Sequence, residues 1–286
     1  MHIVTHDDCV AYSRQGHPER PQRISRTLEK LRSQTDLSIS WEKPEAVEQS
    51  VLLRAHTAAH LKRLRQPEDF DGDTPAYPKI WEHAERSVGA ALRALALARK
   101  GRTAFSLMRP CGHHACPERA MGFCYLNQIA IAALEALASG VEKVAVYDFD
   151  VHHGNGTQDI LMDNPRCEFF SIHQHPCYPF TGGMSVRNCH NYPVIPGATR
   201  TVYRDRLSEA LDDLRKWRPD LIAVSAGFDA YARDPLASEP MEAEDFDWLG
   251  RQICEMKIPH FSVLEGGYSD DLPDLILAYL KGLEGM

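Results

Sequence analysis

Beyond residue 100 the chain alternates short apolar runs with longer stretches of helical period, and this alternation restricts the fold more than any other feature. Strands are predicted at Thr103–Leu107, Lys143–Tyr147, Cys167–Ile172, Asp220–Ser225 and His260–Leu264. Helices are predicted at Tyr125–Ala138, Thr157–Met162, Val202–Trp217, Ala243–Met256 and Leu272–Leu283. Strands joined through helices pair in parallel, and a parallel sheet needs cover on both faces. The first hundred residues are less regular. A short strand opens the chain, and Ile24, Leu28 and Leu31 share one face of a helix over Gln22–Arg32. Residues 44–65 read as helix in pieces, Pro67–Pro75 as a polar loop, and Lys79–Arg99 as a long alanine-rich helix. No repeat, low-complexity tract or linker divides the chain. Residues 1–286 therefore read as one α/β domain, with a mostly parallel central sheet and helices on both faces.

A net charge of −8 with no basic block argues against nucleic acid or an anionic membrane as partner. No segment reaches the roughly 18 apolar residues of a membrane span, and the N-terminus lacks the basic and apolar regions of a secretory leader. A cytoplasmic location is expected, with the 8 cysteines reduced, since no pair has C-x-x-C spacing. Cys111 and Cys116 flank a histidine pair, but nothing spaced like a structural zinc site joins them. Oligomeric state is left open.

In open α/β sheets ligands bind beyond the carboxyl ends of the strands. There the chain places Gly112-His113-His114, then Asp148-Phe149-Asp150-Val151-His152-His153, then His173 and His175, then Ala226-Gly227-Phe228-Asp229, and finally Glu265-Gly266-Gly267-Tyr268. Taken singly, each has an ordinary explanation: Asp229 as a helix cap, Tyr268 as a rim aromatic, the histidine pair as polar loop. Their occurrence on one rim does not. Asp150 and His152 alternate at strand period and point the same way. With Asp229 they make three zinc ligands and leave a fourth position open, as in catalytic sites. Zinc polarises a carbonyl and acidifies water, His113 and His114 can move protons, and Tyr268 can donate to a developing oxyanion. That set of groups hydrolyses an amide.

These residues closely resemble the zinc-dependent histone deacetylase family, which includes the acetylpolyamine amidohydrolases and shares its fold with arginase. His17-Pro18-Glu19-Arg20-Pro21, Gly112-His113-His114, Gly122-Phe123-Cys124-Tyr125-Leu126-Asn127, Asp148 to Thr157, Ala226 to Asp229 and Gly266-Gly267-Tyr268 follow in the family's order over nearly the whole chain. Asn155 in His-Gly-Asn-Gly resembles the class II branch, whereas Cys111 stands where that branch usually has proline. The resemblance implies one catalytic Zn²⁺ on Asp150, His152 and Asp229. It implies His114 as general base with His113 as its partner, Asp148 and Asn155 orienting the two rings, and Tyr268 as the catalytic tyrosine. It further implies K⁺ on carbonyls of Asp148, Asp150, His152 and Ile172 and the Ser171 hydroxyl. Phe123 and Tyr178 would flank the substrate methylenes beside Gly122 and Gly267, Asp73 would hold the substrate backbone, and Arg23 would line an acetate exit channel. Leu236 in Asp234-Pro235-Leu236 takes the place of a pocket-mouth residue that is glutamate in polyamine-selective members. The expected substrate is an acylated lysine or a small acylated amine. An acetylpolyamine amidohydrolase, a non-catalytic acyl-lysine reader and an arginase-like dimetal enzyme remain the alternatives.

Overall fold

The computed structural model describes residues 1–286. Its centre is an 8-stranded, all-parallel sheet. The strands are β1 (His2–Val4), β2 (Ser40–Glu42), β3 (Ala104–Ser106), β4 (Val144–Asp148), β5 (Cys167–Gln174), β6 (Cys189–Val194), β7 (Leu221–Ala226) and β8 (His260–Leu264). Their order is β2-β1-β3-β8-β7-β4-β5-β6, so the last two strands in sequence fill the middle of the sheet. Every residue of β3, β4 and β7 is buried, as expected where both faces are covered.

The helices are α1 (Gln22–Ser33), α2 (Gln49–Leu52), α3 (Ala58–Arg63), α4 (Ile80–Ala98), α5 (Gln128–Ala138), α6 (Asn155–Leu161), α7 (Arg200–Trp217), α8 (Ala243–Glu255) and α9 (Leu272–Leu283). α4 and α5 pack on one another and on the central strands. α1, α8 and α9 form a second group, whose Tyr279 hydrogen-bonds Ser262 of β8 (2.8 Å) and packs its ring on Phe105 of β3. α7 covers β5 and β6.

Two strands were not foreseen. β6 contains His190, Asn191 and Pro193 and has no apolar run, but it is an edge strand, where proline is tolerated. β2 is the opposite edge and mostly exposed. Boundaries also shift. The helix expected from Tyr125 starts at Gln128, capped by Asn127 Oδ1 on Ala130 N–H (3.0 Å). The helix expected from Thr157 starts at Asn155, so Asn155 sits in its first turn.

Candidate active site

Asp148 ends β4, and the chain turns through Asp150 and His152 before α6 begins. β7 ends at Ala226, three residues before Asp229. Asp150, His152 and Asp229 are buried, and one donor atom of each lies within 4.8 Å of the others. His152 Nδ1 is 3.2 Å from Asp150 Oδ1 and 3.0 Å from Asp229 Oδ2. Backbone holds the outer oxygens: Gly266 N–H donates to Asp150 Oδ2 (2.7 Å) and Val151 N–H to Asp229 Oδ1 (2.9 Å). The only ion-pair partners of these carboxylates are histidines, with no lysine or arginine among them. Two buried carboxylates facing an imidazole without a permanent cation suit a divalent metal better than a salt bridge. Glycine is required beside them. A β-carbon at 227 would lie 2.2 Å from Asp150 Oδ2, and one at 266 would lie 2.1 Å from Asp229 Oδ2.

His113 and His114 follow β3 by way of a buried loop, their ring centres 4.0 Å apart. His114 Nδ1 lies 2.8 Å from Asn155 Oδ1. The Asn155 amide nitrogen faces Cys116 Sγ (3.2 Å), so its oxygen is the group turned to His114. An oxygen that only accepts places the proton on Nδ1 and leaves the Nε2 lone pair of His114 free. Burial, with the rings of His113 and His152 nearby, pushes His114 well below the usual histidine range. His113 Nδ1 lies 3.1 Å from Asp148 Oδ2. Burial opposes its charge, but the carboxylates of Asp150 and Asp148 outweigh that and hold it well above the usual range. One ring of the pair is thus disposed to be neutral and its neighbour to be protonated.

A cavity of about 220 Å³ opens onto His114 and His152. Phe123, Tyr178 and Tyr268 form its aromatic lining, with Gly122, Cys177, Leu236 and Asp73 completing it. Gly122 has φ +57°, and a β-carbon there would meet His114 Cδ2 at 2.5 Å. Phe123 packs edge-on against Tyr268, ring centres 5.8 Å apart. Burial pushes the Tyr268 phenol well above its usual range, so it keeps its proton. Arg23 lies over the Tyr268 ring (4.8 Å) and is locked by Glu19, which also pairs with Arg109. Gly267 does not line the cavity; its carbonyl accepts from Arg23 Nε (2.6 Å).

The residues expected to hold potassium are adjacent. Asp148 pairs in register with Ser171, and Ile172 follows it on β5. The buried main-chain carbonyls of Asp150 and His152 accept no hydrogen bond from the protein.

Two acids escaped the sequence reading. Glu265 is buried and accepts the N–H groups of Gly112 (2.7 Å) and His113 (3.2 Å), orienting the histidine loop; burial pushes it up to about 7. Asp234 holds the Tyr268 backbone. Each stands beside a glycine or proline and reads as turn polarity; the only signal was its position just after a strand or before the mouth residue.

Fold and site together define a hydrolytic enzyme built on the rim of a parallel sheet. The chain belongs to the histone deacetylase family, whose histone deacetylase domain matches residues 17–282. It is 36% identical to a histone deacetylase-like amidohydrolase of Pseudomonas aeruginosa, over 95% of this chain and 78% of that protein. It is 36% identical to a probable deacetylase of Methanothermobacter thermautotrophicus, over 100% of this chain and 91% of that protein. Among solved structures, an acetylpolyamine aminohydrolase from Burkholderia pseudomallei superposes with a TM-score of 0.91 at 28% identity, covering 99% of this chain and 98% of that one.

Proposed function

We propose that residues 1–286 form one zinc-dependent amidohydrolase domain that removes acetyl, or a related acyl group, from lysine side chains. The observation that carries this reading is the buried Asp150-His152-Asp229 donor set beside His114 and Tyr268 on one narrow cavity. Zinc held by those three residues supplies Lewis-acid polarisation of the amide carbonyl and of the attacking water. His114 takes the water proton at Nε2, with Asn155 fixing its tautomer. His113, kept protonated beside Asp148, stabilises the developing negative charge and can return a proton to the leaving amine. The Tyr268 hydroxyl donates to the oxygen that gains charge. Phe123 and Tyr178 flank the lysine methylenes, Gly122 leaves them room, Gly267 sets the turn that carries the tyrosine, and Asp73 at the mouth holds the substrate backbone.

Potassium is assigned to the carbonyls of Asp148, Asp150, His152 and Ile172 with Ser171 Oγ, supported by the two carbonyls that lack a protein donor. No helix is long and apolar enough to cross a membrane. All 8 cysteines are free, which suits the reducing cytoplasm.

A polyamine substrate is the second reading. It is supported by relatives named acetylpolyamine amidohydrolase and by Asp73, an acid on the cavity wall that could meet a distant ammonium. Leu236, uncharged on the same wall, favours the lysine reading. A panel of acetyllysine peptides, longer acyl-lysines and acetylpolyamines, with bound metal measured alongside, tests both. Absence of amide hydrolysis by zinc-loaded protein on every member overturns the enzyme reading.

A further inference from the structure

Asp234 lies outside the metal-donor set and outside the cavity wall, yet two loops of the site hang from it. It is only 7% exposed. Its Oδ2 accepts the N–H groups of Tyr268 (2.6 Å) and Ser269 (3.1 Å), and its Oδ1 accepts that of Leu236 (3.0 Å). No cationic side chain neutralises it; its neighbour Arg233 pairs with Asp271 instead (3.1 Å). A buried carboxylate satisfied by backbone alone is costly to maintain and fixed in direction by its donors. One of the loops it holds carries the Tyr268 phenol and the other carries Leu236, and both side chains line the cavity.

The peptide unit between Gly267 and Tyr268 is gripped on both sides. Arg23 Nε donates to its carbonyl at 2.6 Å, and its N–H donates to Asp234 at 2.6 Å. Gly267 has φ +113°, a conformation open to glycine, so local chain preference does not set this plane. With the plane pinned, the direction in which Tyr268 projects is fixed.

We infer that Asp234 is a positioning residue for the Tyr268 phenol, tying its aim to the wall of the cavity at Leu236. The inference rests on the proposed role of Tyr268. Asp234→Asn replaces one acceptor oxygen with an NH₂ group, so the two loops can no longer both be held. A misplacement of about 1 Å costs on the order of 100-fold in rate, and kcat of the variant is expected to fall roughly 10- to 100-fold with KM within about 2-fold. Metal content is expected to be unchanged.

The decisive measurement repeats Asp234→Asn in a Tyr268→Phe background, where the phenol is already absent and a further loss below about 2-fold is expected. An equal loss in both backgrounds, or none in the wild-type background, overturns the inference; so does a change confined to KM. Failure of the tyrosine reading itself is read separately, as wild-type turnover of Tyr268→Phe alone. Should Asp234→Asn not fold, Asp234→Glu keeps the charge and enters the same cycle. Failure of both to fold makes Asp234 a folding residue and overturns the inference.

Discussion

Replacing Gly266 by alanine tests the metal geometry without touching a ligand. A β-carbon at 266 would stand 2.1 Å from Asp229 Oδ2 and 2.5 Å from Asp150 Oδ2, and real β-carbons keep at least 3.0 Å. The two oxygens must therefore retreat by about 0.9 Å and 0.5 Å, against a tolerance of about 0.2 Å for ligand distances in a good site. Both carboxylates are fully buried, so they have little room to retreat without turning away from His152. Losing the aim of a single supporting group typically costs 10- to 100-fold in metal affinity. With two ligands displaced, at least about 100-fold is expected, near 2.7 kcal/mol. Residue 266 is not in the left-handed region, so the fold itself is expected to survive. The assay titrates metal-free protein with zinc against a chelating indicator and follows turnover in the same samples, with the metal-free melting temperature as control. A Gly266→Ala variant that binds zinc within about 3-fold of wild type and turns over normally would refute the assignment of Asp150 and Asp229.

Tyr268→Phe is expected to keep zinc and fold while losing on the order of 100- to 1,000-fold in kcat, measured at saturating substrate; near wild-type turnover would remove the phenol from the reaction. Wild-type protein is expected to show a higher kcat/KM for an acetyllysine peptide than for N-acetylcadaverine, and Leu236→Glu to move the ratio towards the polyamine; a clear polyamine preference in the wild type sinks the lysine reading. The last expectation concerns His56, whose Nδ1 is bonded to the Cys116 carbonyl (3.0 Å) and whose Nε2 accepts the Asn127 N–H (2.9 Å). Burial, with His60 beside it, pushes this ring down to about 3 from an ordinary 6.5. The unfolded chain therefore binds the proton first, and stability is lost as pH falls from about 6.5 towards 3, by up to about 1.4 kcal/mol per pH unit for this ring. Urea unfolding of metal-free protein between pH 7 and 5 should show this slope, and His56→Asn should make it shallower; an unchanged slope contradicts the assignment.

The polar rim stood out in the sequence because its residues follow strands whose apolar runs are unbroken. Val144–Tyr147 and Leu221–Ser225 are buried from end to end, so the polar residues after them stand out. What lacked that contrast was missed. β6 carries Asn191 and Pro193 because an edge strand forms one ladder only, and its pattern resembles a loop. Asp234 and Glu265 act by accepting main-chain N–H groups from distant segments, and no side-chain pattern records where a backbone donor will arrive. Asn155 Oδ1 lies 2.8 Å from His114 Nδ1, and the helix that carries it begins earlier than its sequence suggested.

The strand order has a consequence for how the protein is made. During synthesis, a chain that has emerged only as far as Asp220 possesses β1 to β6 but has a gap two strands wide in the centre of its sheet. β3 and β4 then present open edges, the surfaces most prone to pair with the wrong chain. Asp229 and Tyr268 are also still missing, so the Asp150-His152-Asp229 donor set and the cavity wall are both incomplete. Only when β8 completes at Leu264 can β3 and β4 be joined through the new strands. The sheet therefore becomes continuous only after β8, its last strand in sequence, has been made. Truncations from the C-terminus that remove β8 are expected to leave aggregation-prone chains rather than smaller active ones.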